Sequence, residues 1–194
     1  MRFSIVACCL TFGLLGCAGP SIVAPGTPYR MIGVSMTSPN EPGWIAVKPN
    51  EASLAFGKKG ARAGDTVFVQ MSLIKIDDKI ADDQFRAEVE HAKTVNDNPA
   101  DLLPPEMRVA AIEFKGAVCV SYDGAAKYVA GKGGGPGPRY VKALGYTCRH
   151  PMIMGMAVDI ALSERAGAPA LAPAGRASAK AFFDTVVFTD AGTQ

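Results

Sequence analysis

Met156-Ala157-Val158-Asp159-Ile160-Ala161-Leu162-Ser163 sets Met156, Val158, Ile160 and Leu162 against Ala157, Asp159, Ala161 and Ser163. A period of two is that of a strand, whose successive side chains point to opposite faces, so an apolar row opposed to a small and polar row predicts a half-buried β-strand. Residues 66–76 repeat the pattern after a turn at Gly64 and Asp65: Val67, Val69, Met71 and Leu73 share one face, and Thr66, Phe68, Gln70 and Ser72 the other. Between these strands the period changes. Phe85, Val89 and Ala92 recur at helical spacing behind Asp82, a candidate N-cap, and the polar run Asn96-Asp97-Asn98-Pro99 ends the helix. Further strands are predicted at residues 108–114, 117–122 and 140–150. Earlier short strands fall at 31–36, at 44–47 after the turn Glu41-Pro42-Gly43, and at 53–56 after Pro49-Asn50. A proline- and alanine-rich loop, residues 166–174, leads to Ala179, Phe182, Phe183 and Val186, which mark a closing amphipathic helix. Strands, helix, strands and helix, with no internal repeat, predict an α+β fold: an antiparallel β-sheet with helices packed on it.

Composition agrees with a folded domain. The chain has 194 residues, 48% hydrophobic and 20% charged, enough apolar material for one core. Its 21 glycines and 14 prolines fall short of a low-complexity chain, so disorder throughout is excluded. The net charge of +2, spread without basic runs, gives no footprint for nucleic acid.

At the N-terminus Arg2 precedes an apolar stretch, residues 3–15, with the n-region and h-region pattern of a secretory signal. The stretch is shorter than the roughly 20 residues of a spanning helix, and no later segment approaches that length without charges or prolines. Leu14-Leu15-Gly16-Cys17 resembles the lipobox of bacterial lipoproteins. That resemblance implies lipidation of the Cys17 thiol, cleavage before Cys17 and acylation of the new amine. At about 0.8 kcal/mol per buried CH₂, several acyl chains would hold the protein on its membrane without help from the fold. Ala18 follows the anchor in place of the aspartate that retains enteric lipoproteins on the inner membrane, which implies the periplasmic face of the outer membrane. The domains are then a signal peptide (1–16), a lipidated tether rich in proline and glycine (17–30), and one α+β globular domain (31–194).

In that reading Cys8 and Cys9 leave with the signal and Cys17 carries lipid, so Cys119 and Cys148 remain. An even pair in the oxidising periplasm is expected to be a disulfide. The sequence supports the pairing independently, because the midpoint of the two cysteines falls within Gly131-Lys132-Gly133-Gly134-Gly135-Pro136-Gly137-Pro138. Two strands folded about that loop set Cys119 opposite Cys148, Ser121 opposite Tyr146, and Ala117 opposite His150. The rival reading makes one cysteine a nucleophile assisted by His150, two residues after Cys148 and on the same strand face.

Catalytic motifs are sparse. Ser72-Leu73-Ile74-Lys75 spells S-x-x-K, but in a strand Ser72 and Lys75 face opposite sides, and K-T-G is absent. The glycine cluster lacks the pattern of a phosphate-binding loop, and G-x-S-x-G does not occur. His91 is expected to be a solvated residue of a helix flank. His150, Met152, Met154 and Met156 form a soft-ligand cluster suited to Cu(I), whose alternative role is to fill the start of a core strand. The order of elements, with a Trp-bearing turn early and a Phe-rich helix late, resembles the PsbP-like sandwich. Gly145-Tyr146-Thr147-Cys148-Arg149-His150-Pro151, with Ser163-Glu164-Arg165, is similar to a group of uncharacterised proteobacterial lipoproteins, which brings no reaction with it.

These readings lead to a lipid-anchored periplasmic domain that binds a partner, an envelope protein being the candidate, or contributes to the cell envelope, with no catalytic residue and no cofactor assigned, and with the membrane met through the lipid. The alternatives are a Cu(I)-handling protein using His150 and the methionines, and an enzyme whose residues are dispersed along the chain.

Overall fold

The computed structural model describes residues 21–60, 62–95, 99–132 and 139–190. Cys17 and residues 133–138 of the glycine cluster lie outside them. No helix among the described residues is long and apolar enough to cross a membrane. In chain order the first elements are β1 (Ser21–Ile22), β2 (Pro28–Met31), β3 (Val34–Thr37), β4 (Ile45–Asn50), β5 (Ser53–Lys59), β6 (Thr66–Lys75) and α1 (Asp82–Thr94). They are followed by β7 (Glu106–Phe114), β8 (Ala117–Lys127), β9 (Tyr140–Arg149), β10 (Met156–Ala166), α2 (Pro173–Asp184) and β11 (Val187–Phe188).

Hairpins dictate the topology. β4-β5-β6 and β7-β8-β9-β10 are two antiparallel meanders, and they join where β10 pairs with β6, from Met156 opposite Lys75 to Arg165 opposite Thr66. The result is one eight-stranded sheet ordered β1-β4-β5-β6-β10-β9-β8-β7. The β7–β8 turn is Lys115-Gly116, with φ of 51° and 77°, the paired positive values whose twist suits a two-residue hairpin. From that turn the Lys115 ammonium donates to the carbonyls of Asp184 and Val186, satisfying acceptors left open at the end of α2. Burial lowers the Lys115 pKa there, and the Asp184 charge opposes the shift.

A helix packs on each face of the sheet. On one side α2 and a small sheet ordered β11-β3-β2 close the principal core, where Phe182, Phe183 and Val186 meet Phe56, Met71, Ile160 and Leu162. On the other side Phe85 and Val89 of α1 pack on Val120 and Ala157. The strand expected to be half-buried is therefore buried on both faces from Ala157 to Leu162. Ala157 is small where Phe85 and Val89 of α1 lie over it.

Other expectations need correction. The fold already includes part of the segment assigned to the tether, since β1 pairs with β4, Val23 is buried and β2 begins at Pro28. Residues 31–36 are not one strand: Ile32-Gly33 turns between β2 and β3, with Gly33 at φ 70°. Ala81 is the N-cap residue of α1, and Asp82 stands inside the first turn, where its carboxylate accepts from Arg149 at 2.6 Å and meets the positive end of the helix dipole. Ala92 is exposed.

Cys119 and Cys148 are directly opposed on β8 and β9 and joined as a disulfide, their Cα atoms 4.0 Å apart. Ser121 faces Tyr146 as expected. Ala117 does not pair with His150: the β8–β9 register ends at the cysteines, Ala117 pairs with Phe114, and the His150 amide donates to the Met156 carbonyl as the chain turns into β10. Closing a loop across a separation of 29 residues should stabilise the fold by roughly 3 to 4 kcal/mol. Urea unfolding of a Cys119→Ala, Cys148→Ala variant should show a loss of that order, and a loss below about 1 kcal/mol would remove the bridge from the main stabilising contacts.

Candidate functional site

Among the described residues, several polar side chains gather in a buried cluster under α1 and in an open cleft at the far end of β7 and β8. The cluster centres on Asp159, which burial on β10 obliges to find partners. Thr147, directly opposite on β9, donates its hydroxyl at 2.6 Å, Tyr122 donates at 3.1 Å, and the Lys93 ammonium lies at 2.8 Å. Tyr122 reaches Asp159 because its cross-strand neighbour is Gly145, where a Cβ would overlap the phenol ring. Lys93 comes from the last turn of α1 and also sits 4.2 Å above the Tyr122 ring centroid, a cation–π contact. The helix is thus tied to the sheet by charge as well as by Phe85 and Val89.

Burial, then the Asp159 charge, then the hydrogen bond to Asp159 raise the Tyr122 pKa well above that of an ordinary phenol. The group stays a neutral donor. Asp159 spends its oxygens on two hydroxyl donors and one ammonium, so the constellation resembles a catalytic set in composition but acts as a structural tie. Sequence reading missed it because its members are 12, 37 and 66 residues from Asp159.

His150 is also committed to the fold. Its Nδ1 accepts the amides of Met152 at 3.2 Å and Ile153 at 3.0 Å, and its Nε2 lies 2.7 Å from the Gly33 carbonyl. A carbonyl only accepts, so Nε2 carries the proton and the ring is neutral. Phe188 meets the ring edge-on at 5.3 Å. Both nitrogens being engaged, His150 has no lone pair for copper and none for a general base, and the bonded cysteines supply no nucleophile. Met154 is 81% exposed, Met152 is exposed and Met156 is half-buried. Among the described residues no three of His, Cys, Asp and Glu are grouped to hold a metal ion. His91 is exposed on α1, and Ser72 faces Asp159 across the β6–β10 pair while Lys75 is on the opposite strand face.

The cleft has a volume of about 770 Å³, within the range of ligand sites. Asp123 and Ala125 of β8 form its floor, Glu106 and Arg108 of β7 one rim, and residues 169–171 with Arg176 of α2 the other. Arg176 meets Asp123 in a two-pronged contact, 2.6 and 3.2 Å, and both side chains keep substantial exposure. Arg108 stands directly opposite Asp123 on the neighbouring strand. The wall is fixed by Lys142, which is buried, pairs with Glu164 at 2.9 Å and donates to the Ala170 carbonyl. Arg108, Lys127 and Arg176 outnumber Glu106 and Asp123, so the cleft favours anionic groups. It borders β7, which among the described residues is an edge strand paired with β8 alone.

The Tyr122 shift has a testable sign. The fold favours the neutral phenol, so its contribution is whole below the ordinary phenol pKa of about 10 and is lost as pH rises through the raised value. Tyr122→Phe should remove that component of the alkaline fall in stability. An absorbance titration should find the Tyr122 phenol ionising only with unfolding, and ionisation in the intact fold near pH 10 would contradict the burial argument.

No protein-family model matches the chain, and no curated protein sequence matches it. The cleft and the closed cluster are therefore read from their own chemistry: one accessible and charged, the other saturated.

Proposed function

We propose that the protein is a lipid-anchored binding module of the bacterial cell envelope, attached through Cys17 to the periplasmic face of the outer membrane, and that its cleft takes an extended segment of an envelope protein. The observation that carries the binding role is the meeting of the cleft with the unpaired edge of β7. An edge strand offers a row of free amide and carbonyl groups, and an extended peptide adds to such an edge through main-chain bonds. Beside that edge, Arg108 and Arg176 provide charge for an acidic side chain of the guest. The anchor is supported by the lipobox sequence, and the oxidised Cys119–Cys148 pair suits an oxidising compartment. A binding role is favoured over catalysis by the state of His150 and Asp159, whose polar atoms are spent on the protein's own groups.

Two measurements test the two halves of this reading. Cys17→Ser should abolish fatty-acid labelling and leave the protein unprocessed or soluble, and normal labelling of that variant would end the lipoprotein assignment. For the cleft, a photo-crosslinking residue placed at Ala110, exposed on β7, should capture one envelope partner in cells. Arg108→Glu with Arg176→Glu should reduce that adduct roughly tenfold, equivalent to about 1.4 kcal/mol. An adduct indifferent to both charge reversals, or formed equally from Gln84 on α1, would refute the assignment of the cleft.

A further inference from the structure

We propose that the outer face of β1, β4, β5 and β6 rests on the lipid surface of the membrane; this depends on the Cys17 anchor of the preceding reading. One row crosses all four strands in register: Ile22 beside Ile45, Ile45 beside Gly57, Gly57 beside Phe68. These residues lie on the sheet face turned away from the principal core. Ile22 is 84% exposed, Phe68 43% and Ile45 37%, and Val47, one step along β4 on the same face, is 48% exposed. At about 4.8 Å between strands the row is about 14 Å long. Gly57 makes it continuous, because the Phe68 ring lies over its bare backbone, where a Cβ would come within 2.7 Å of Cε1. α1 packs on β7 and β8, and among the described residues no helix packs on this half of the face.

Chain length selects the occupant. From Cys17 to Ile22 is five residues, a reach of at most about 18 Å. A lipidated Cys17 therefore keeps the most exposed apolar side chain of the patch within that distance of the bilayer, in a gap too small for a globular partner. The charges beside the patch suit the same surface. Lys59 and Arg165 both flank Thr66, two residues along from Phe68 and on the same face, and both are exposed. Apolar side chains bordered by cations match the interface of a bilayer that contains anionic lipid. Lipid anchor and protein face then hold the domain in one orientation, with the sheet lying against the membrane and α2 turned away from it.

The test uses the full-length protein, purified in its lipidated form and reconstituted into vesicles of phosphatidylethanolamine and phosphatidylglycerol with brominated acyl chains. Mass spectrometry of the N-terminal peptide reports separately whether Cys17 is acylated. A Phe68→Trp variant should show blue-shifted emission and about twofold quenching by the brominated lipid, measured against the parent, whose native Trp44 is buried. Lys180→Trp, on the opposite layer in α2, should show neither. Acylated protein with Trp at position 68 unquenched, or with both positions quenched alike, overturns the proposal and leaves the anchor standing. Unmodified Cys17 overturns both. An unquenched position 68 together with dimers in sedimentation would give the face to a second copy instead.

Discussion

Burial of β10 on both faces is the constraint from which most of the fold follows. A strand shared between two meanders must satisfy one apolar core with Val158, Ile160 and Leu162 and a second layer with Ala157, Asp159 and Ala161. Placing a carboxylate in the second layer is costly unless every lone pair is answered, because an uncompensated buried charge destabilises by several kcal/mol. Thr147 on β9, Tyr122 on β8 and Lys93 on α1 answer it. The absence of a side chain at Gly145 and the register of α1 on the sheet are consequences of that one demand. Removing Asp159 would strand Lys93, whereas removing Lys93 would strand Asp159, so the set behaves as a unit.

The strands divide their work along their length. At one end of β8 and β9 the disulfide joins Cys119 to Cys148, and His150 carries the chain onward, bonding the β2–β3 turn through Gly33. Gly33 serves there twice: its φ of 70° suits glycine, and a Cβ would collide with the imidazole. At the other end the same face of β8 turns polar at Asp123 and becomes the floor of the cleft. The rigid end locates the small sheet over the core, and the open end is bounded by α2 and the loop before it.

Those features that depend on local pattern were legible in the sequence. The alternation in β6 and β10, the Phe-rich closing helix and the opposition of Cys119 to Cys148 all rest on spacing within a strand, a helix or one hairpin. The errors have equally specific causes. Ile32-Gly33 looks like strand because its isoleucine continues an apolar run, while the turn is made by the glycine backbone. β1 and the start of β2 are too short and too rich in proline to show a period. Asp159 and the alanines beside it suggested a solvent face, yet small and polar residues are also what a helix and a tyrosine require beneath them. The cleft was invisible because its walls come from β7, β8 and α2, and nothing in one segment announces the others.

The β6–β10 seam pairs Thr66 with Arg165, about a hundred residues apart in the chain. Until the last part of the polypeptide is made, β4, β5 and β6 have an open inner edge and lack α2, so the N-terminal half has neither a closed sheet nor a finished core. Such non-local pairing delays native structure during synthesis, since loop closure must precede the contacts that reward it. Were the chain exported as proposed above, that delay would keep it open enough to thread through a narrow protein-conducting channel before its final strand and helix emerge.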